Sequence, residues 1–540
     1  MELSKEDHVG YWAALLFTTV LLSAEACMAA STKAATCESL VDLKLPDTTI
    51  TSAETVAAGT FTLPGDELGT SLISPKSLPA FCRVVATLRP SKDSDIKIEV
   101  WLPVKGWNGK LESVGNGGYA GFISYATPST FPVFPSLMSA LRQGYATAGT
   151  DTGHTGGLVD ASFALGHPEK VTDFGYRAVH EMTLKAKAII AAFYGKSARY
   201  SYFDGCSTGG RQALKEAQRY PNDYDGIIAG APANYYWTHL AVATLWVGVI
   251  THKDPASFIP PSKYPVIHDA VIKACDAVDG LKDGLIDDPR RCHFDPKVLE
   301  CSGADAPTCL TAPQVEAAKK IYGPVTNPRT GAAIFPGLEP GSELGWSILA
   351  GGKEPSELGI TAFRNIVYHD ANWDWRTFDF DKGVALIEKV DQNTFTANDP
   401  NLGPFFSHGG KLLIYHGWTD PLIASESSVN YYTSVLNKMG GASKASSSIR
   451  LFMVPGMDHC GGGEGPNPNM FDLVSVMEQW VEKGVAPNRI IATKYKLDDN
   501  PASGAVRTRP LCPYPQVARY TGSGSTDEAP NFFCRAPGGE

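Results

Sequence analysis

A serine, an aspartate and a histidine stand in this 540-residue chain where they can act together. Ser207 lies in Gly205-Cys206-Ser207-Thr208-Gly209; small residues on both sides let a serine project its hydroxyl from a turn too sharp for Cβ atoms. A serine hydroxyl is a weak nucleophile until an imidazole takes its proton, and the imidazole needs a carboxylate to fix its tautomer and stabilise its charge. Where a serine is displayed on a strand-to-helix turn, the chain order is serine, acid, histidine. Asp420, in His416-Gly417-Trp418-Thr419-Asp420-Pro421, and His459, in Pro455-Gly456-Met457-Asp458-His459-Cys460, follow Ser207 in that order. Asp458 adjoins His459, but sequence neighbours rarely point at one another, so it reads as a turn residue. His154 and His416 also lie at strand ends and read as hydrogen-bonded loop histidines.

These residues need a scaffold that brings three loops to one edge, and the flanking patterns supply it. Arg199 to Phe203 reads as a short strand before Ser207, and Gly210 to Tyr220 as a helix stopped by Pro221. Ile96, Ile98, Val100 and Leu102 alternate as a half-buried strand, with further strands at Lys110 to Val114 and Tyr145 to Gly149. An amphipathic helix is expected from Thr172 to Gly195. After Gly230 the pattern breaks into a stretch rich in Pro, Gly, Asp and aromatics, and it resumes with strands at Lys411 to Tyr415 and Ile449 to Val454 and a helix from Phe471 to Lys483. Strands alternating with helices imply a parallel sheet covered on both faces, here interrupted by one large insertion. Gly115-Asn116-Gly117-Gly118 follows a strand and suits an oxyanion hole, whose second donor is the backbone N–H of Thr208. Gly117 is the favoured residue, with Gly118 the alternative.

Composition bounds the rest. With 43% hydrophobic and 19% charged residues the chain can build a substantial core. A net charge of −10 and no concentrated run of Lys and Arg disfavour a nucleic-acid partner. Tyr11 to Ala24 is apolar but short for a membrane span, so residues 1–30 read as a signal peptide, although Glu2, Glu6 and Asp7 make its start acidic. The expected location is secreted or periplasmic, with no membrane association after cleavage. Eleven cysteines, with Cys27 inside the leader, leave ten for five disulfides, as an oxidising compartment allows. Cys37 and Cys82 are expected to close a Pro/Gly/Thr-rich surface stretch. Cys206 precedes Ser207 and Cys460 follows His459, so a bond between them would hold nucleophile and base in register.

Gly205-Cys206-Ser207-Thr208-Gly209-Gly210-Arg211, with Asp420 and the pair His459-Cys460, resembles the tannase and feruloyl esterase family of α/β-hydrolases, whose signature is a Cys-Ser, Asp, His-Cys arrangement. The resemblance implies an α/β-hydrolase fold with a large inserted lid, catalytic parts over residues 31–229 and 402–540, and a lid over 230–401. It implies Ser207, His459 and Asp420 as nucleophile, base and acid, and Thr208 and Gly117 at the oxyanion. Asp276 to Asp287 carries oxygen donors spaced around glycines, as a calcium loop requires, though not at EF-hand spacing. The family implies a structural Ca2+ bound by the side chains of Asp276, Asp279 and Asp283 and the carbonyls of Leu281 and Leu285. Cys275 and Cys292 flank this loop and are expected to staple it; Cys301–Cys309 and Cys512–Cys534 are expected as well.

The insertion also holds Tyr235, Tyr236, Trp237, Trp346, Phe363, Tyr368, Trp373 and Trp375. Most would serve as core, while some would suit a planar phenolic acyl group. Arg364 and Arg376 would meet a substrate carboxylate or form structural ion pairs. The expected activity is hydrolysis of a small aromatic ester through an acyl-enzyme, feruloyl esters first, then galloyl esters or a terephthalate half-ester. Two other readings are a silent polyphenol- or carbohydrate-binding protein on the same fold and a cysteine hydrolase using Cys206.

Overall fold

The strand that feeds Ser207 lies inside a nine-stranded sheet. A computed structural model of the chain describes residues 34–64, 71, 73–119, 121–127, 134–235, 238–468, 470–497 and 501–536. The leader expected over residues 1–30 lies outside these, as do Tyr236 and Trp237. In chain order, β1 is Thr48–Val56, β2 Phe81–Leu88, β3 Ile96–Pro103, β4 Lys110–Val114, β5 Ala146–Thr150, β6 Tyr200–Cys206 and β7 Gly226–Gly230. The insertion contributes a small hairpin, β8 (Val325–Thr326) with β9 (Ala333–Phe335), and the sheet resumes with β10 (Lys411–Gly417) and β11 (Ile449–Val454).

The order across the sheet is β1-β2-β3-β5-β4-β6-β7-β10-β11. The β1, β2, β3 and β5 pairings are antiparallel, and every neighbour from β5 to β11 is parallel. Helices cover both faces, so the central strands are buried on both sides, the polar Glu112 and Asp204 of β4 and β6 included. The pleat sorts their residues. Phe203, Ile227 and Leu412 pack with the helices Ala178–Tyr194, Thr208–Arg219 and Glu426–Lys438, whereas Tyr202, Ile228 and Leu413 pack with Met470–Lys483.

Three expectations need correction. The stretch closed by Cys37 and Cys82, expected to wrap the surface, supplies β1, an edge strand in which only Ile50 is buried. β3 is buried along almost its whole length instead of half-buried, because both faces are covered. The helix expected from Thr172 to Gly195 begins at Pro168, passes through a wide turn at Asp173–Arg177 and continues as Ala178–Tyr194, with Gly195 at φ 67° ending it. Buried Arg211 explains the wide turn. Its guanidinium donates to the carbonyls of Gly175 at 2.6 Å and Phe174 at 3.1 Å, taking acceptors that a regular helix would use itself.

Between β7 and β10 the chain leaves the sheet and builds a second core around Leu245, Ile267, Val315, Trp346 and Phe363. That core continues into Tyr119, Phe163 and Phe174, and from Ala34 onward the chain is one compact unit. After β11 the chain adds β12 (Asn467–Pro468), β13 (Ile490–Tyr495) and β14 (Ala505–Leu511) as a small sheet, then the hairpin β15 (Val517–Tyr520) and β16 (Phe532–Arg535). Five disulfides tie the molecule: Cys37–Cys82, Cys206–Cys460, Cys275–Cys292, Cys301–Cys309 and Cys512–Cys534. No described helix is long and apolar enough to cross a membrane.

Candidate active site

β6 ends at Cys206 and the next helix begins at Thr208, so Ser207 alone makes the turn, with φ 64° and ψ −120°. A non-glycine residue at positive φ is strained, and it persists only where its surroundings hold it. Here the Ser207 N–H donates to Gly230 O at 2.9 Å, and Ser207 O accepts from Arg211 N and Ala233 N at 3.0 Å each. The glycines are required by close approach. A Cβ on Gly205 would stand 2.5 Å from the Gly209 carbonyl carbon, and one on Gly115 would stand 2.6 Å from Gly209 Cα. The β4 loop therefore lies directly against the start of the Ser207 helix.

That contact places the expected oxyanion donors. Gly117, Gly118 and Thr208 all line the same cavity as Ser207. The Asn116 N–H is already committed to Gln212 Oε1 at 3.0 Å, and the Asn116 side chain donates to Phe122 O and Thr150 O. Thr208 Oγ1 donates to Gly118 O at 2.8 Å, locking the two sides of the hole together. His154, one of the competing histidines, supports this loop: its Nε2 lies 2.7 Å from Tyr119 O and its ring stacks on Phe163 at 3.8 Å. Burial pulls His154 down to about 4, so it stays neutral.

Asp420 and His459 leave the C-terminal ends of β10 and β11, two neighbouring parallel strands. His459 Nδ1 lies 2.7 Å from Asp420 Oδ2. The other oxygen, Asp420 Oδ1, accepts from the N–H groups of Leu422 at 2.8 Å and Ile423 at 2.9 Å. Burial alone would raise this carboxyl, but the charge of His459 and hydrogen bonds from His416 and His459 outweigh it and hold Asp420 well below the usual range. It therefore remains an acceptor that fixes Nδ1–H on His459 and leaves Nε2 for the serine proton. Asp458 is turned elsewhere, its Oδ1 accepting from Thr419 Oγ1 at 2.9 Å, and burial pushes it up to about 7. The Cys206–Cys460 disulfide, Cα to Cα 5.9 Å, joins the serine strand to the histidine loop and leaves Cys206 no thiol.

His416 emerges as a second partner of the acid. It is fully buried, with Nε2 3.0 Å from Asp420 Oδ2 and Nδ1 2.7 Å from Ser428 Oγ. Since the carboxylate only accepts, Nε2 carries the proton and Nδ1 accepts from the Ser428 hydroxyl. No sequence pattern announces this, because the pairing depends on how the loop after β10 folds back.

Ser207 and His459 open onto a cavity of about 230 Å³. Its walls are Tyr119, Phe134, Leu158, Leu240, Leu358 and Ile423 with a few more small or aliphatic residues, and no Asp, Glu, Lys or Arg side chain lines it among the described residues. Among the described residues, the aromatics of the insertion do not line it. Trp346, Phe363 and Trp375 are core, and Tyr368 stacks on Trp373 at 5.0 Å. Arg364 pairs with Glu357 at 3.0 Å, and Arg376 with Glu354 at 3.1 Å and Asp374 at 3.2 Å, so both are structural ion pairs. The cavity wall is apolar, aliphatic apart from Tyr119 and Phe134, and is drawn from residues whose spacing in the sequence reads simply as core.

No residue of the acidic loop lines this cavity, though Leu285 packs against Gly456 in the loop that carries His459. Asp276 Oδ1 accepts from the N–H of Asp283 at 3.1 Å and Gly284 at 3.0 Å, and Asp279 Oδ1 from Leu281 N at 2.9 Å. Asp283 pairs with Arg509 of β14 at 2.5 Å. Asp287 is a further carboxyl of the loop: burial and the neighbouring Asp279 carboxylate push it up to about 8. Asp276, Asp279 and Asp283 do not bring three carboxylate oxygens within 4.8 Å of one another. Asp279 and Asp287 share a hydrogen bond, and the donors of the loop, all oxygen, are of the kind a hard divalent cation takes.

The tannase and feruloyl esterase family model matches residues 82–535. An uncharacterized esterase of Xanthomonas campestris pv. campestris is 41% identical over 551 residues, covering 94% of this chain and 92% of that protein. The crystal structure of feruloyl esterase B from Aspergillus oryzae superposes with a TM-score of 0.84 at 31% identity, covering 92% of this chain and 99% of that one. Tannin acyl hydrolase from Aspergillus niger gives a TM-score of 0.72 at 25% identity, with 91% and 92% covered.

Proposed function

Because the chain belongs to the tannase and feruloyl esterase family of carboxylic ester hydrolases, we propose that Ser207, His459 and Asp420 hydrolyse an aromatic ester through an acyl-enzyme. His459 Nε2 takes the Ser207 proton as Oγ bonds to the ester carbonyl carbon. The carbonyl oxygen becomes an oxyanion held by the N–H groups of Thr208 and Gly117. Protonated His459 then gives its proton to the departing alcohol as the carbon–oxygen bond breaks. Water, deprotonated by the same ring, repeats the attack and releases the acid and Ser207. The observation that carries this reading is the 2.7 Å contact of His459 Nδ1 with an Asp420 carboxylate held ionised, beside a serine on a strained turn.

The cavity supports the feruloyl class first. An apolar wall without a described charged group accommodates a ring carrying a methoxy group, a vinyl arm and a single hydroxyl. Among the described lining residues no cation meets the carboxylate of a terephthalate half-ester, and a galloyl ring would set three hydroxyls against apolar side chains where a feruloyl ring sets one. Galloyl esters remain the second reading on the likeness to tannin acyl hydrolase. Five disulfides suit an oxidising compartment, and we place the working enzyme outside the cytoplasm.

We assign Ca2+ to the acidic loop, held by the side chains of Asp276, Asp279 and Asp283 and the carbonyls of Leu281 and Leu285. When bound, the ion supplies charge that keeps the crowded carboxylates together. These residues would clamp the insertion to the C-terminal sheet through the Asp283–Arg509 pair and take no part in proton transfer.

The deciding experiment compares methyl ferulate, methyl gallate and mono(2-hydroxyethyl) terephthalate with wild type and Ser207→Ala. Methyl ferulate is expected to give the highest kcat/KM, and the variant to lose roughly four orders of magnitude or more on every ester cleaved. Cleavage that survives Ser207→Ala would remove Ser207 from the mechanism, and a preference for the half-ester would overturn the reading of the cavity.

A further inference from the structure

Nine residues beyond Ser207 on the same helix, roughly 13 Å away along its axis, Glu216 carries a carboxylate that is only 1% exposed, and neither of its oxygens has a hydrogen-bond partner. It faces two other potential ligands. His180, near the start of the neighbouring helix Ala178–Tyr194, and Asp223, in the turn leading to β7, place a ring nitrogen and a carboxylate oxygen so that all three atoms lie within 4.8 Å of one another. Among the described residues this is the one such cluster. We propose that His180, Glu216 and Asp223 bind a divalent transition-metal ion of the zinc type, stapling the nucleophile helix to its neighbour.

The chemistry of the donors selects the class of ion. One imidazole and two carboxylates suit Zn2+ and its neighbours better than Ca2+, which prefers six or more oxygens. Two carboxylates this close in a dry place need either a shared proton or a cation between them. The ring is already oriented: Tyr220 stacks on His180 at 3.7 Å and 6°, and His180 Nδ1 points at Asp223 Oδ2 from 2.6 Å. Ligands about 2.1 Å from a tetrahedral ion stand roughly 3.4 Å apart, so the His180–Asp223 pair, now at 2.6 Å, has to open slightly to admit the ion. Lys187 is the nearby cation, and its ammonium donates to the Asp223 main-chain carbonyl, leaving the carboxylate free to ligate. The His180 and Asp223 side chains are 22% and 10% exposed, which gives an ion its way in and a water its place as fourth ligand.

The test uses the full chain with its disulfides intact and no histidine tag, stripped with a chelator and then saturated with Ca2+ to fill the acidic loop. Co2+ is titrated by visible absorption and Zn2+ by competition with a chromophoric chelator. One Co2+ per chain, displaced by Zn2+, is expected, with affinity lowered at least about a hundredfold in His180→Ala. Glu216→Gln is expected to lose the Co2+ spectrum as well; should it fail to fold, His180→Ala at its half-exposed position carries the test. The proposal falls if no ion binds once Ca2+ is present, or if His180→Ala binds as wild type does. It falls equally if wild type shows a protonated-carboxyl infrared band that Zn2+ leaves unchanged and Glu216→Gln removes, for then a shared proton satisfies the pair.

Discussion

Cys206 and Cys460 are bonded across 254 residues, with their Cα atoms 5.9 Å apart. One precedes the nucleophile and the other follows the base, so the bond fixes the distance between β6 and the loop that carries His459. Cys460 itself sits at φ 54°, a conformation the bond helps to hold.

The Cys206→Ala/Cys460→Ala double variant is therefore expected to lose both stability and turnover. Closing so long a loop restricts the unfolded chain by up to about 5 kcal/mol in the chain-entropy account. A displacement of the imidazole by about 1 Å costs on the order of a hundredfold in rate. Thermal melting and steady-state kinetics read the two effects separately, and the fall should lie in kcat while KM moves little. A variant that melts lower yet turns over normally would show that the bond serves stability alone.

His416 is a positioning residue for Asp420, and its removal should be felt at His459. In His416→Phe the acid keeps the N–H groups of Leu422 and Ile423 but loses the donor on the oxygen that faces His459. The expected result is a fall in kcat of about tenfold to a hundredfold, with KM unmoved. His416→Gln, whose amide can donate to Asp420 and accept from Ser428, should recover most of it. Equal losses in both variants would mean that His416 matters for packing only.

How much of this was legible in the chain follows from what each residue depends on. Ser207, Thr208, Asp420 and His459 announce themselves because the turn, the strand ends and the paired cysteines are local patterns. The parallel strands β4, β5, β6, β10 and β11 were legible as short segments bounded by turns, whereas β7, Gly226–Gly230, was not, since two glycines in five residues hide it. β1 escaped because an edge strand with one buried residue, Ile50, carries almost no pattern. The wide turn at Asp173–Arg177 escaped because Arg211, distant in sequence, creates it. The apolar cavity wall and the pairing of His416 are likewise products of tertiary contact, as is the placing of Trp346, Phe363 and Trp375 in the core.

His268 gives the lid a pH dependence. Its Nδ1 lies 2.9 Å from Glu343 and its Nε2 2.8 Å from Glu464, so both nitrogens donate and the ring is charged. Burial favours the neutral ring, yet hydrogen bonds to Glu343 and Glu464 prevail and push His268 up to about 10. A raised folded value means that the stabilisation is fully present below the unfolded value near 6.5 and is lost as pH rises through about 10. With Glu464 half exposed, about 2 kcal/mol is a reasonable discounted figure. Wild type should therefore exceed His268→Gln most at pH 6, with the gap shrinking between pH 7 and 10. Denaturant melts at pH 6, 8 and 10 decide it; a gap that is constant with pH would mean that His268 is not charged in the fold.

Removing Ca2+ should weaken the link between the lid and the C-terminal sheet without disarming the triad. The loop Asp276 to Asp287 shares its charge balance with Arg509, and burial together with the Asp279 charge pushes Asp287 up. At a free Ca2+ level about a hundred times its Kd, binding to the folded state contributes about 2.7 kcal/mol. Chelation should thus lower Tm by several degrees, and Ca2+ should restore it where Mg2+, which demands a tighter octahedron, does not. Asp279→Asn should melt like the chelated protein and ignore added Ca2+. Below the lower melting temperature, kcat on methyl ferulate should stay within about twofold of the untreated enzyme, because Asp420 and His459 draw on none of the loop's donors. A Tm indifferent to chelation in wild type would remove Ca2+ from the acidic loop and leave Arg509 as its counter-charge.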